Sequence, residues 1–172
     1  MKFAYVVSES GTVHVNQILS EMASRLIADG IKVTGTIQSE TEKEGAEKCD
    51  MYISVLPDGP RIRVSQNLAG QSKSCYLDTS ALEKAAGLAA SRLGDADLLV
   101  INKYGKREAK GGGFRDVMAQ AISLDTPIIV GVNALNLEAW LDFSQGAAVE
   151  LEADVEALVA WAKESLARTQ CL

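Results

Sequence analysis

Two short stretches carry residue types that can hold a phosphate-like anion. The first is Ser8-Glu9-Ser10-Gly11-Thr12-Val13-His14-Val15, set between an apolar run and a helical pattern. A helix start leaves backbone N–H groups without partners, and its dipole favours negative charge. Ser8, Ser10 and Thr12 add hydroxyls, and His14 adds a hydrogen-bond donor or, when protonated, a charge. The second is Asn102-Lys103-Tyr104-Gly105-Lys106-Arg107, where Lys103, Lys106 and Arg107 supply positive charge.

Measured against the phosphate-loop pattern G-x-x-x-x-G-K-[ST], the first stretch departs from it. Ser8 stands at the first glycine, Val13 at the second, His14 at the lysine and Val15 at the hydroxyl residue. Gly11 is the one glycine of the stretch, at an intermediate position. In that pattern the loop amides cradle phosphate, the lysine neutralises it and the hydroxyl holds magnesium. Position alone, strand then turn then helix, supports a phosphate loop here; the residues do not.

Charge is unevenly spread. Residues 60–75 hold Arg61, Arg63 and Lys73 without an acid, and 102–116 hold five basic residues against Glu108 and Asp116, in a chain of net charge −6. Two basic islands in an acidic protein converge on an anion-binding mouth or are separate solvated loops. Arg61, Arg63, Ser65 and Gln66 are weaker candidates because the placement of their hairpin is open at this level. For 102–113 the alternatives are an anion site and a basic surface loop loosened by Gly111, Gly112 and Gly113. The overall acidity argues against nucleic acid as a partner.

These stretches need elements to position them. "KFAYVV" reads as a buried strand, and Val15, Ile18, Leu19, Met22 and Leu26 recur at helical spacing up to Gly30. "IKVTGTIQ" alternates as a strand, and 39–50 is charged and aperiodic, a loop. Met51, Ile53 and Val55 alternate, Pro57-Asp58-Gly59-Pro60 is turn chemistry, and Ile62 and Val64 alternate again, which makes a β-hairpin. "QNLAGQSKSCY" is a polar loop, and a helix follows with Asp78 or Thr79 as its cap and Gly94 as its stop. "DADLLVINKYG" and "TPIIVGVN" have the continuous apolar runs of central parallel strands. "GGGFRDVMAQAISL" turns helical after its glycines, "LNLEAWLDF" is a short helix, "AAVEL" an edge strand and "DVEALVAWAKESLAR" a terminal amphipathic helix. Trp161, on that last helix, fits a core or a homodimer face.

Strands alternating with helices specify an α/β three-layer sandwich around a mostly parallel sheet, with the hairpin as an insertion or an edge extension. The 172 residues suit one domain spanning 1–172. No apolar run approaches a membrane span, and the N-terminus turns polar too early for a signal peptide, so a cytoplasmic protein is expected. Cys49, Cys75 and Cys171 lack metal-ligand spacing and read as free thiols, with a redox pair or a soft-metal site at Cys49 and Cys75 as the alternative. No metal site is expected. In open parallel sheets ligands sit beyond the C-terminal strand ends. Three loops leave such ends: Ser8–Asn16, Asn102–Gly113 and Asn133–Asn136.

"INKYGKREAKGGGF" resembles the "DEIGKME…F" segment after the Walker B strand of the small P-loop nucleoside-triphosphatase family of thermophilic prokaryotes and animals. Gly105, Lys106, Glu108 and Phe114 match in spacing. The chain as a whole resembles more closely a bacterial family of uncharacterised domains that occur alone or near molybdate ABC-transporter genes. "CDMYISVLPDGPRIRVSQNL", "CYLDTSALEKA", "LLVINKYGKREAKGGGF" and "PIIVGVNALNLEAW" carry that likeness over nearly all of the chain. The resemblance implies a P-loop NTPase fold with degenerate Walker A and B motifs. Where the triphosphatases place a magnesium-orienting aspartate and a catalytic glutamate, this chain has Asn102 and Lys103. Asparagine carries no charge for magnesium, and lysine is protonated at neutral pH.

Three expectations follow. The first is a nucleotide- or oxyanion-binding accessory protein that works without tightly bound magnesium, which the resemblance links to molybdenum uptake or cofactor metabolism. The second is an active triphosphatase in which Glu9 or Glu108 replaces the missing carboxylates. The third is an interaction module that has lost its ligand, with a transporter ATPase or a cofactor-assembly protein as partner.

Overall fold

A computed structural model describes residues 2–8, 13–40, 51–66 and 76–168. The sheet has seven strands: β1 (Phe3–Ser8), β2 (Val33–Glu40), β3 (Met51–Leu56), β4 (Arg61–Arg63), β7 (Leu98–Tyr104), β8 (Ile128–Asn133) and β9 (Ala148–Glu150). Their order is β4-β3-β2-β7-β8-β1-β9. Every pair from β2 to β9 is parallel. The hairpin β3–β4 joins antiparallel to β2, so it extends the sheet edge. A further pair, β5 (Ser65–Gln66) and β6 (Tyr76–Leu77), lies apart and flanks the polar stretch read as a loop.

Helices cover both faces. α1 (Val13–Ala28) and α6 (Val155–Ala167) pack on one side, with Leu98, Val100 and Ile129 turned toward them. The other face, with Leu99, Ile101 and Val130, is covered by α2 (Thr79–Arg92), α4 (Arg115–Ser123) and α5 (Leu137–Ser144). Strands buried on both faces need apolar residues at every position, which is why β7 and β8 read as unbroken runs. The helix starts follow local chemistry. Asp78 caps α2 by accepting from the Ala81 N–H at 3.0 Å, and Asp154 caps α6 through Ala157 at 2.9 Å. α2 ends at Arg92 with Leu93 as its C-cap, so the expected stop, Gly94, lies just past the helix end, inside a 3₁₀ turn, Leu93–Asp95.

An aromatic group fixes the second layer. Trp140 is fully buried, and its ring contacts those of Phe3, Tyr5, Tyr104 and Phe143 at centroid distances of 5.3–6.4 Å. These rings bind α5 to β1 and β7, and they place the loop after β8 beside the end of β1. Trp161 is half-buried against the α1–α6 layer.

At two places the sheet requires glycine. A Cβ on Gly35, whose φ is +117°, would lie 1.9 Å from the Val100 carbonyl oxygen. A Cβ on Gly131 would lie 2.3 Å from the Asn102 oxygen. Both are closer than any real Cβ contact, so β2 and β8 approach β7 through these bare backbones.

Candidate anion-binding site

β1 and β7 end on the same side of the sheet, with β8 between them. Ser8 closes β1, is buried, and pairs in register with Asn133. Glu9, Ser10, Gly11 and Thr12 lie outside the described residues, as do Cys49, Cys75 and Cys171. Val13 begins α1, His14 is exposed, and Val15 is buried in the α1–α6 core. The position where a phosphate loop carries its magnesium hydroxyl therefore faces apolar packing. One turn in, Asn16 is buried, and neither its Oδ1 nor its Nδ2 has a hydrogen-bond partner among the described residues.

The end of β7 is the better-defined centre. Asn102 is 4% exposed and held on both sides by β2. Its Oδ1 accepts from the Thr36 hydroxyl at 2.9 Å, and its Nδ2 donates to Gln38 Oε1 at 3.2 Å. Thr34, Thr36 and Gln38 alternate along β2, so the strand period turns Thr36 and Gln38 to the same face. The chain then turns into the one-turn helix α3 (Lys106–Ala109), which periodicity is too short to reveal.

Glu108 closes this turn from within. It is 3% exposed; its Oε2 accepts from the Gly105 N–H at 3.0 Å and its Oε1 from the Phe114 N–H at 3.2 Å. Burial pushes its carboxyl above the ordinary glutamate range, against the opposing pull of those amides. As a substitute catalytic carboxylate it is poorly placed, because both oxygens already serve the backbone.

The three glycines are shaped by contacts. A Cβ on Gly112 would meet Arg107 Nε at 2.4 Å, and one on Gly113, whose φ is +59°, would meet Glu108 Oε1 at 2.0 Å. Gly113 also donates its N–H to Glu83 Oε1 at 2.8 Å. The same Glu83 oxygen accepts from Arg107 Nε at 3.0 Å and Nη2 at 2.8 Å. The Gly113 amide, then Arg107, hold the Glu83 carboxyl below its usual range, with burial opposing.

Of the basic residues here, Arg107 is thus spent on Glu83. Arg115 is engaged by the Tyr104 hydroxyl at 3.3 Å and lies over the Phe143 ring at 4.6 Å. Lys103 and Lys106 have no ion-pair partner among the described residues. Asn102, Lys103, Lys106 and Arg107 share one cavity, with Gln38 and Glu108 beside them. Ser8, His14 and Val15 are not in its described lining, and neither are Arg61 and Arg63. Arg61 and Arg63 therefore do not join Lys103 and Lys106 on this cavity, and Lys73 lies outside the described residues; Arg61 stacks on Tyr52 at 4.1 Å.

The described donors suit magnesium badly. Val15 has no side-chain oxygen, and the Asn102 amide is uncharged and bonded to Thr36 and Gln38, whereas magnesium favours carboxylate oxygens. Among the described residues no three His, Cys, Asp or Glu side chains cluster to hold a metal. Thr36, Gln38 and Glu83 escape a reading by motif. Only the alternation of β2 hints at the first two, and nothing local signals Glu83, 24 residues from Arg107.

A mostly parallel sheet with helices on both faces, with β7, β8 and β1 side by side within it, is the architecture of a P-loop nucleoside-triphosphatase fold. Two solved structures share it. "Solution Structure of a Human Cancer-Related Nucleoside Triphosphatase" superposes with a TM-score of 0.64 at 17% identity, over 99% of this chain and 98% of that one. "Crystal Structure of THEP1 from the hyperthermophile Aquifex aeolicus" gives 0.61 at 15% identity, over 96% and 97%. Within that class the chain belongs to the family described as "Protein of unknown function (DUF2478)", whose model matches residues 3–161. It is also 30% identical over 155 residues to "Molybdenum import ATP-binding protein ModC 2" of Bradyrhizobium diazoefficiens. That match covers 90% of this chain and 17% of the relative's length. No helix among the described residues is long and apolar enough to cross a membrane.

Proposed function

We propose that this protein binds a nucleotide or small oxyanion at the strand ends of a P-loop fold without hydrolysing it, and serves as an accessory or regulatory protein. The observation that carries the reading is the state of Asn102. It is uncharged, buried and tied to Thr36 and Gln38, with Lys103, which has no ion-pair partner among the described residues, beside it; the resemblance to the triphosphatases sets a magnesium carboxylate at this position. Hydrolysis of a phosphoanhydride depends on positioned metal and charge. Lysine charge in place of metal serves binding instead. The likeness to a molybdenum-import ATP-binding protein favours a cytoplasmic role in molybdenum uptake or cofactor metabolism, with a transporter ATPase or a cofactor-assembly protein as partner.

Calorimetric titration with ATP, GTP, phosphate and molybdate, with and without magnesium, tests the binding. Saturable binding of at least one of them, unaffected by magnesium, is expected, together with no phosphate release above the rate without protein. A folded sample that binds none of them overturns the reading, as does magnesium-dependent turnover.

A further inference from the structure

The cavity at the end of β7 has a second character that phosphate binding leaves unused. Its volume is about 220 Å³, and most of its wall is apolar: Met51 and Ile53 of β3, Val64, Leu77, Leu82 of α2 and Phe114. Ile53, Val64, Leu82 and Phe114 are buried, whereas Leu77 stands at the rim, 41% exposed. An apolar cavity of roughly 150 Å³ is enough to admit benzene. The polar groups gather around β2 and the turn after β7. Gln38 is 8% exposed, its Oε1 accepts from Asn102, and its Nε2 has no partner among the described residues. Lys103 folds over the turn, since a Cβ on Gly105 would lie 3.7 Å from its Cε. Lys106 is exposed and unpaired.

The charge at this end is limited. Arg107 is neutralised by Glu83, the Gly105 and Phe114 amides are occupied by Glu108, and among the described lining residues two ammonium groups, Lys103 and Lys106, remain. Lysine is a compact point charge that lacks the planar fork with which arginine grips phosphate. A bare oxyanion would contact these donors and leave the apolar wall wet. An apolar body would cover that wall, and burying it is favourable in proportion to its area.

We infer that the cavity between β3, β7, α2 and α3 binds a small organic carboxylate with a flat apolar body. The carboxylate lies against Lys103, Lys106 and the Gln38 amide, and the body lies against Ile53, Val64, Leu82 and Phe114. This site stands on the cavity alone and does not depend on nucleotide binding.

The test uses the full chain with isotope-labelled methyl groups, titrated with benzoate, with neutral benzamide and with inorganic phosphate. Benzoate should shift the Ile53, Val64 and Leu82 methyl resonances in a saturable way. Benzamide should bind about tenfold more weakly, the loss of a charge-assisted contact. Phosphate should leave those methyls in place. Lys103→Gln with Lys106→Gln, both off the core, should reduce benzoate affinity by about the same factor. Leu77→Trp, at the rim, should change the benzoate affinity without changing the melting temperature by more than a few degrees. No saturable shift with benzoate overturns the inference, as do equal binding of benzamide and equal shifts with phosphate. ATP titrated in parallel separates this result from the nucleotide reading, because benzoate binding without ATP binding, or the reverse, decides each on its own.

Discussion

Asn102 and Gln38 meet amide to amide across β7 and β2, the Asn102 Nδ2 donating to the Gln38 Oε1 at 3.2 Å. With the Thr36 hydroxyl bonded to the Asn102 Oδ1 as well, Asn102 braces β7 against β2.

Removing the Thr36 hydroxyl leaves Asn102 Oδ1 buried without that donor. Thr36→Val should cost about 1–3 kcal/mol, the penalty for an orphaned buried acceptor. A shift of the urea midpoint with an unchanged slope is the measurement. A variant as stable as the parent would mean that the brace contributes nothing.

Glu108 governs a different property. Its folded-state carboxyl titrates above the ordinary glutamate value, so the native state holds the proton more tightly than the unfolded chain does. The stability linked to this group is full below the unfolded value and is lost as pH rises through the folded one. Glu108→Gln should flatten that part of the stability–pH curve, leaving a decline from Glu83, whose lowered carboxyl acts at the acid end. Denaturation at a series of pH values would show it, and parallel curves for the variant and the parent would refute the assignment.

Two neighbouring glycines should respond very differently to alanine. Gly111 has φ +92° but open space around its missing Cβ, while Gly113 would drive a Cβ to within 2.0 Å of Glu108 Oε1. Gly111→Ala should cost about 1–2 kcal/mol, the strain of a left-handed residue. Gly113→Ala should cost clearly more, since it also breaks the Glu108 contacts. Equal losses in thermal denaturation would contradict the packing described.

Freeing Arg107 should strengthen anion binding. Glu83→Gln removes the carboxylate that holds its guanidinium and adds positive charge at the cavity. Phosphate or nucleotide affinity should rise about 2–10-fold at low salt and converge on the parent as salt screens the gain. Calorimetry at two ionic strengths decides it.

Much of the fold was legible because its signals are local. Unbroken apolar runs gave β7 and β8, alternation about Pro57–Pro60 gave the hairpin, and helical spacing gave α1 and α6. Gly94, read as the stop of α2, falls directly after the Leu93 C-cap, although the chain there continues into a 3₁₀ turn that periodicity does not reveal. The candidate site was legible only in part. Lys103, Lys106 and Arg107 read alike as candidate charges, and only the contact with Glu83 sets Arg107 apart. The triple glycine suggested looseness, whereas Gly112 lies under the Arg107 guanidinium and Gly113, at φ +59°, lies against the buried Glu108 carboxylate. Such facts arise from contacts between segments distant in sequence, which composition and periodicity do not encode.

The position of the two tryptophans has a practical consequence. Trp140 belongs to the layer of α2, α4 and α5, and Trp161 to the layer of α1 and α6, with the sheet between them. Each side of the sheet therefore contains one tryptophan, the first enclosed by aromatic rings and the second partly open to solvent. Single Trp→Phe variants would make emission report on one half at a time, and the order in which the halves let go of the sheet becomes readable without attaching any dye.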